Sequence, residues 1–101
     1  MEIIYSVRME SIMTINKLDG NILIVDDSTD TLKFLAEVIE PSGANILIAM
    51  TGEKALEVVN EIIPDVILLD AVMPGMGGFE TCKVLKANLD LKHVPIIFMT
   101  G

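Results

Sequence analysis

The stretch LLDAVMPGMGGF, Leu68–Phe79, decides how the chain folds. It closes a continuous apolar run, Val66-Ile67-Leu68-Leu69, that ends abruptly on Asp70 and then turns at Pro74-Gly75. A run of that length, apolar at every position, reads as a strand buried on both faces. A carboxylate at the end of a buried strand is costly unless something holds its charge. The fold must therefore bring Asp70 to a place where a counter-charge can meet it.

Three more runs of the same kind lie elsewhere: Ile22–Val25, Ile46–Ala49 and Ile96–Met99. Helical patterns separate them. Leu32, Leu35, Val38 and Ile39 recur at helical spacing, as do Ala55, Leu56, Val59 and Ile63; a weaker pattern runs from Phe79 to Leu89 through Cys82 and Leu85 or Lys86. Ser28 or Thr29 caps the first helix and Pro41-Ser42-Gly43 ends it. Thr51 caps the second, and Pro64 stops it before the next strand. Buried strands alternating with helices predict an α/β domain with a parallel sheet covered on both faces.

The bulk properties agree. A chain of 101 residues suits one small domain, and 51% hydrophobic residues are ample for its core. Mean hydropathy is +0.58, yet no apolar run approaches the ~20 residues of a membrane span. A net charge of −8 argues against nucleic-acid binding and against anionic membranes. The single Cys82 excludes an internal disulfide, fits a reducing compartment, and leaves no paired Cys/His spacing for zinc. Residues 1–19 read as an N-terminal extension, a short helix or a loose segment, in which Arg8 and Glu10 break the apolar pattern a signal peptide needs. Met9 and Met13 are alternative starts within it.

Asp26 and Asp27 directly follow the first buried run, Asp70 the third and Thr100 the fourth. In an open parallel sheet, ligands gather at the carboxyl ends of the strands, where strand order reverses. For the acids to meet, the first and third runs must be neighbours, which gives the order 2-1-3-4. Each close carboxylate pair then costs about 4 kcal/mol at ~4 Å with an effective dielectric of ~20. A cation is the remedy, and an all-oxygen donor set suits Mg²⁺. Carboxylates can also accept phosphoryl groups, which a metal would position and neutralise and a Thr100 hydroxyl could hydrogen-bond.

With NILIVDDS, TGEKALE, DVILLDAVMPGMGGFE and VPIIFMTG in this order, the chain from about Asn21 to Gly101 resembles the receiver domain of two-component response regulators. The resemblance implies a flavodoxin-like, doubly wound parallel sheet. It implies phosphoryl transfer from a histidine kinase or phosphotransfer protein onto Asp70. Asp26, Asp27, Asp70 and the backbone carbonyl of Val72 would hold Mg²⁺, Thr100 would be the switch hydroxyl, and the protein would be a cytoplasmic signalling phosphoprotein rather than a conventional enzyme.

The match has two departures. Receiver domains usually run on through a further helix, a fifth strand ending in a lysine that contacts the phosphoryl group, and a last helix. This chain stops at Gly101, so residues 20–101 read as a truncated receiver with the usual fifth strand and last helices missing. Lys83, Lys86 and Lys92 all precede the fourth buried run and cannot take the lysine's place. The fourth run should then be an unpaired apolar edge open to self-association, with one sheet face short of helix cover. The second departure is Gly77-Gly78, where an acid often precedes the glycine; the extra glycine is expected to loosen the loop.

Other readings compete. Asp26-Asp27 alone could be a helix-capping pair. A truncated receiver unable to accept phosphate would serve as an interaction or decoy module; a small metal-dependent phosphatase lacks any evident substrate pocket. Gly75-Met76-Gly77-Gly78 fails as a dinucleotide loop, because Glu80 stands at the third glycine position. Met73, Met76, Met99 and Cys82 read as packing residues and His93 as structural. Glu37, Glu40, Glu53, Glu57 and Glu61 read as solvated helix faces.

Overall fold

The structure is a computed structural model and describes residues 3–8 and 20–100, with residues 3–8 and Thr100 as backbone. Five strands, β1 (Ile3–Arg8), β2 (Asn21–Val25), β3 (Asn45–Ala49), β4 (Val66–Asp70) and β5 (Ile96–Thr100), form one parallel sheet in the order β1-β5-β4-β2-β3. The four apolar runs are β2 to β5, and their order is the expected 2-1-3-4. Each strand is about one residue longer than its apolar run.

Among the described residues three helices connect β2 to β5: α1 (Thr29–Ile39), α2 (Gly52–Glu61) and α3 (Gly78–Ala87). Their starts are set by short polar side chains. Ser28 Oγ accepts from Thr31 N at 3.2 Å, and Thr51 Oγ1 from Lys54 N at 3.0 Å, each satisfying an amide that the helix leaves over. A 3-10 turn, Glu40–Ser42, ends α1, and Gly43 follows it with φ 82°.

The strands alternate their side chains between two cores. Leu23, Val25, Ile67, Leu69, Ile96 and Phe98 pack with Ala55 and Val59 of α2 and Cys82 and Leu85 of α3. Ile22, Ile24, Val66, Leu68 and Met99 pack on the opposite face with Leu32, Leu35 and Ile39 of α1. The chain leaves β2 outward to β3 through α1, then crosses back to β4 through α2. Right-handed crossovers in opposite directions put α1 and α2 on opposite faces. The turning point lies between β2 and β4, whose carboxyl ends carry Asp26 and Asp70.

The N-terminal extension corrects two expectations. Ile3–Arg8 is a strand, not a helix or a loose segment. It pairs in parallel with β5, so the fourth apolar run is not an open edge: Ile3 lies opposite Ile96, then Tyr5, Ser6, Val7 and Arg8 opposite Ile97, Phe98, Met99 and Thr100, with a register shift between Ile3 and Tyr5. The signal was Ile3-Ile4-Tyr5, Val7: β-branched and aromatic residues favour strands, but the run is short and a charge closes it. Met9 and Met13 lie outside the described residues.

Candidate functional site

β2 and β4 lie side by side, with Ile22 to Val25 opposite Val66 to Leu69. Asp26, just past β2, and Asp70, the last residue of β4, therefore emerge together. One carboxylate oxygen from each of Asp26, Asp27 and Asp70 lies within 4.8 Å of the others. The three acids singled out in the sequence do meet, at the carboxyl edge and at the reversal of strand order.

Their environments differ. Asp26 is buried, Asp70 half-buried and Asp27 exposed. Asp26 is anchored twice: its backbone N–H donates to Ala49 O at 3.1 Å, and its Oδ1 accepts from Ser28 N at 2.8 Å. Burial pushes the Asp26 carboxyl above its ordinary value; the Ser28 amide opposes this, and the charges of Asp70 and Asp27 add to the rise. Asp70 Oδ1 accepts from Val72 N at 3.1 Å, which fixes the start of the loop after β4. The capping reading of Asp26-Asp27 gives way, because Ser28 caps α1.

Thr100 ends β5, one residue beyond Met99, which lies opposite Asp70. Its backbone thus reaches the same edge, while its hydroxyl lies outside what is described. Val72 is 82% exposed beside Asp70.

The loop from Asp70 to α3 depends on a residue the sequence reading undervalued. Gly78 opens α3 and is buried. A Cβ there would collide with the Asp70 carbonyl oxygen and lie 2.7 Å from Ala71 Cα. Gly78 is thus the contact that lets α3 start against the end of β4. Gly77, by contrast, has φ −68° and ψ 169°, and a Cβ on it would have 4.0 Å of room. Its backbone suits any residue, so Gly77 is the superfluous glycine of the pair.

The packing readings hold. Met73, Met99 and Cys82 are buried, the five glutamates and His93 are exposed, and burial pushes the Cys82 thiol up. Met76 is half-buried.

Residues 22–101 match the family described as the response regulator receiver domain. The chain belongs to that family. It is 41% identical over 80 residues to a probable cyclic di-GMP phosphodiesterase of Vibrio cholerae, covering 79% of this chain and 18% of that protein. It is 35% identical over 84 residues to the response regulator PleD of Caulobacter vibrioides, covering 83% and 18%. The chain thus spans less than a fifth of the length of these curated relatives. Among solved structures, the N-terminal domain of a response regulator receiver protein from Methanoculleus marisnigri superposes with a TM-score of 0.76 at 34% identity, covering 79% of this chain and 65% of that one. The chain is a receiver domain, a signalling domain of two-component systems, and the acid trio sits in its acidic pocket. Among the described residues no helix is long and apolar enough to cross a membrane.

The donor set fits a hard divalent cation. Three carboxylates converge within 4.8 Å, one of them raised in pKa by burial and by its neighbours, and all the side-chain donors are oxygen, as Mg²⁺ requires.

Proposed function

We propose that this receiver accepts a phosphoryl group on Asp70 from a histidine kinase or phosphotransfer protein in the cytoplasm, with Mg²⁺ held by Asp26, Asp27, Asp70 and the Val72 carbonyl. The observation that carries the reading is the convergence of the three carboxylates on the carboxyl edge where strand order reverses. An Asp70 carboxylate oxygen attacks the phosphorus of a phosphohistidine as the P–N bond breaks and the imidazole leaves with that electron pair. Bound Mg²⁺ would neutralise charge on the transferring group. The Val72 amide, on Asp70 Oδ1, keeps the carboxylate oriented. Asp26, pinned by Ser28, keeps its own carboxylate aimed at the trio. The Thr100 hydroxyl, at the end of β5, would serve as the switch that senses the new phosphoryl oxygens. The chain is its own acceptor and turns over no separate substrate. The alternative of a module that pairs through an open fourth run loses support, because β1 covers that edge.

The test is intact mass after incubation with Mg²⁺ and acetyl phosphate. A Mg²⁺-dependent phosphoryl adduct is expected on the wild-type chain and not on Asp70→Ala. No adduct on a chain shown to be folded by circular dichroism would reject the reading.

A further inference from the structure

Among the described residues two polar side chains are buried: Asp26, which belongs to the acid trio, and Thr81, which does not. Thr81 lies in the first turn of α3 and is fully buried. A buried hydroxyl is unfavourable unless it is hydrogen-bonded. Thr81 Oγ1 donates to the carbonyl oxygen of Met76 at 3.5 Å. A helical threonine commonly bonds a carbonyl three or four residues back, within its own helix. Here the carbonyl four residues back, Gly77 O, already accepts from the Thr81 backbone N–H at 2.9 Å. The hydroxyl reaches one residue further, to Met76, outside the helix.

Met76 belongs to the loop that leaves Asp70. Among the described residues, Val72–Met76 make two hydrogen bonds, one at each end of that stretch. The Val72 N–H donates to Asp70 Oδ1, and the Met76 carbonyl accepts from Thr81. Gly75, between the two ties, has φ 71°, a turn that glycine adopts without strain. The buried side chain of Met73 anchors the middle. The neighbouring helix makes the room for Thr81. A Cβ on Gly52, the first residue of α2, would collide with Thr81 Oγ1 and lie 3.1 Å from Met76 Sδ. Thr81 and Met76 are therefore packed together against the start of α2, which holds the far end of the loop in place.

We infer that Thr81 is a positioning residue for the phosphoacceptor loop. Its hydroxyl, through Met76, fixes the segment that presents the Val72 carbonyl and returns the Val72 N–H to Asp70. The inference rests on the roles proposed for Asp70 and Val72. Thr81 itself touches neither the metal nor the phosphoryl group.

Two substitutions separate the hydroxyl from the shape of the side chain. Thr81→Val keeps the branched shape and removes the hydroxyl; Thr81→Ser keeps the hydroxyl and removes the methyl group. Circular dichroism and thermal melts serve as controls for the fold. Thr81→Val should weaken Mg²⁺ binding to the unphosphorylated chain and slow phosphorylation by acetyl phosphate. Each effect should be about three- to tenfold, the worth of one hydrogen bond. Thr81→Ser should retain most of both. Amide relaxation of the metal-free chain gives a third readout: the order parameters of Gly75 and Met76 should fall in Thr81→Val and not in Thr81→Ser. The reverse pattern, with Thr81→Ser impaired and Thr81→Val like wild type, is that of a packing residue and would overturn the inference. Equal values in all three chains would do the same, and either result leaves the phosphoacceptor reading intact. A wild-type chain that binds Mg²⁺ but takes no phosphoryl group would reject the phosphoacceptor reading. Mg²⁺ affinity and loop order would then decide on Thr81: losses in Thr81→Val alone support its positioning role, and no change overturns it. A wild-type chain that neither binds Mg²⁺ nor takes a phosphoryl group overturns both.

Discussion

Two adjacent glycines after Asp70 have opposite physical roles. At Gly78 the backbone of α3 comes so close to Asp70 and Ala71 that no side chain fits. Gly78→Ala must push α3 away from β4 or displace the Asp70 carbonyl, and should cost about 2–4 kcal/mol, in the range of strained core substitutions. The same displacement disturbs Asp70, the proposed phosphoacceptor, so its phosphorylation rate should fall even in molecules that remain folded. At Gly77, the N-cap of α3 receives no side-chain hydrogen bond, and the backbone there is one that aspartate adopts freely. Gly77→Asp should gain about 0.5–1 kcal/mol from capping and from a less flexible unfolded chain. Urea denaturation of both variants checks the pair. If Gly77→Asp destabilises, or Gly78→Ala is neutral, the assignment of the two glycines is wrong. Composition alone made both look like loosening residues; the close approach that separates them is tertiary and carries no local pattern.

At the scale of elements, what the chain disclosed in advance follows from how each element is stabilised. The runs Ile22–Val25, Val66–Leu69 and Ile96–Met99 of β2, β4 and β5 are covered on both faces, so each run is apolar throughout and stands out. Each then ends on a polar residue at the carboxyl edge, which made the acid trio and the strand order legible together. β1 is an edge strand of mixed character, and an edge strand needs no continuous apolar run, because its partner on one side supplies most of the stabilisation. It also pairs with the strand furthest from it in sequence, and no local signal encodes that. The consequence is testable. A chain starting at Met9 lacks β1, leaving those N–H and C=O groups of Ile96–Thr100 that face away from β4 unpaired along an apolar strand. Such an edge recruits other strands. Loss of the β1 ladder should lower stability by about 2–4 kcal/mol, near 1 kcal/mol per lost hydrogen bond. Sedimentation should then show concentration-dependent self-association that the longer chain lacks. A shorter chain that stays monomeric with an unchanged melting temperature would mean that β1 contributes nothing to covering β5.

For the molecule as a whole, the site opposes folding until a cation arrives. Asp26 is 6% exposed, and its carboxyl is raised by burial, and further by Asp70 and Asp27. An acid whose folded value lies above its unfolded one contributes stability below the ordinary carboxylate range. It loses that contribution as pH rises through the raised value. In metal-free solution the chain should therefore become less stable as pH rises above the ordinary carboxylate range, about pH 4, a trend that the net charge of −8 reinforces. Mg²⁺ held as proposed would reverse the sign, because it would bind the ionised trio and protons would compete with it. At a free concentration of about ten times its Kd it should stabilise the chain by about 1.4 kcal/mol at neutral pH, and by much less at pH 4. Asp26→Asn separates the two effects. The amide oxygen can still accept from Ser28 N, so the turn into α1 is retained, while a buried charge and its repulsion are removed. With carboxylate oxygens no more than 4.8 Å apart, that relief should be about 1 kcal/mol even at water-like dielectric. Thermal melts in chelator at pH 7 should rank Asp26→Asn above wild type, and melts in Mg²⁺ should show the shift in wild type only. If the variant is the less stable of the two in chelator, Asp26 stabilises the metal-free fold, and the repulsion that makes this edge a cation site is absent.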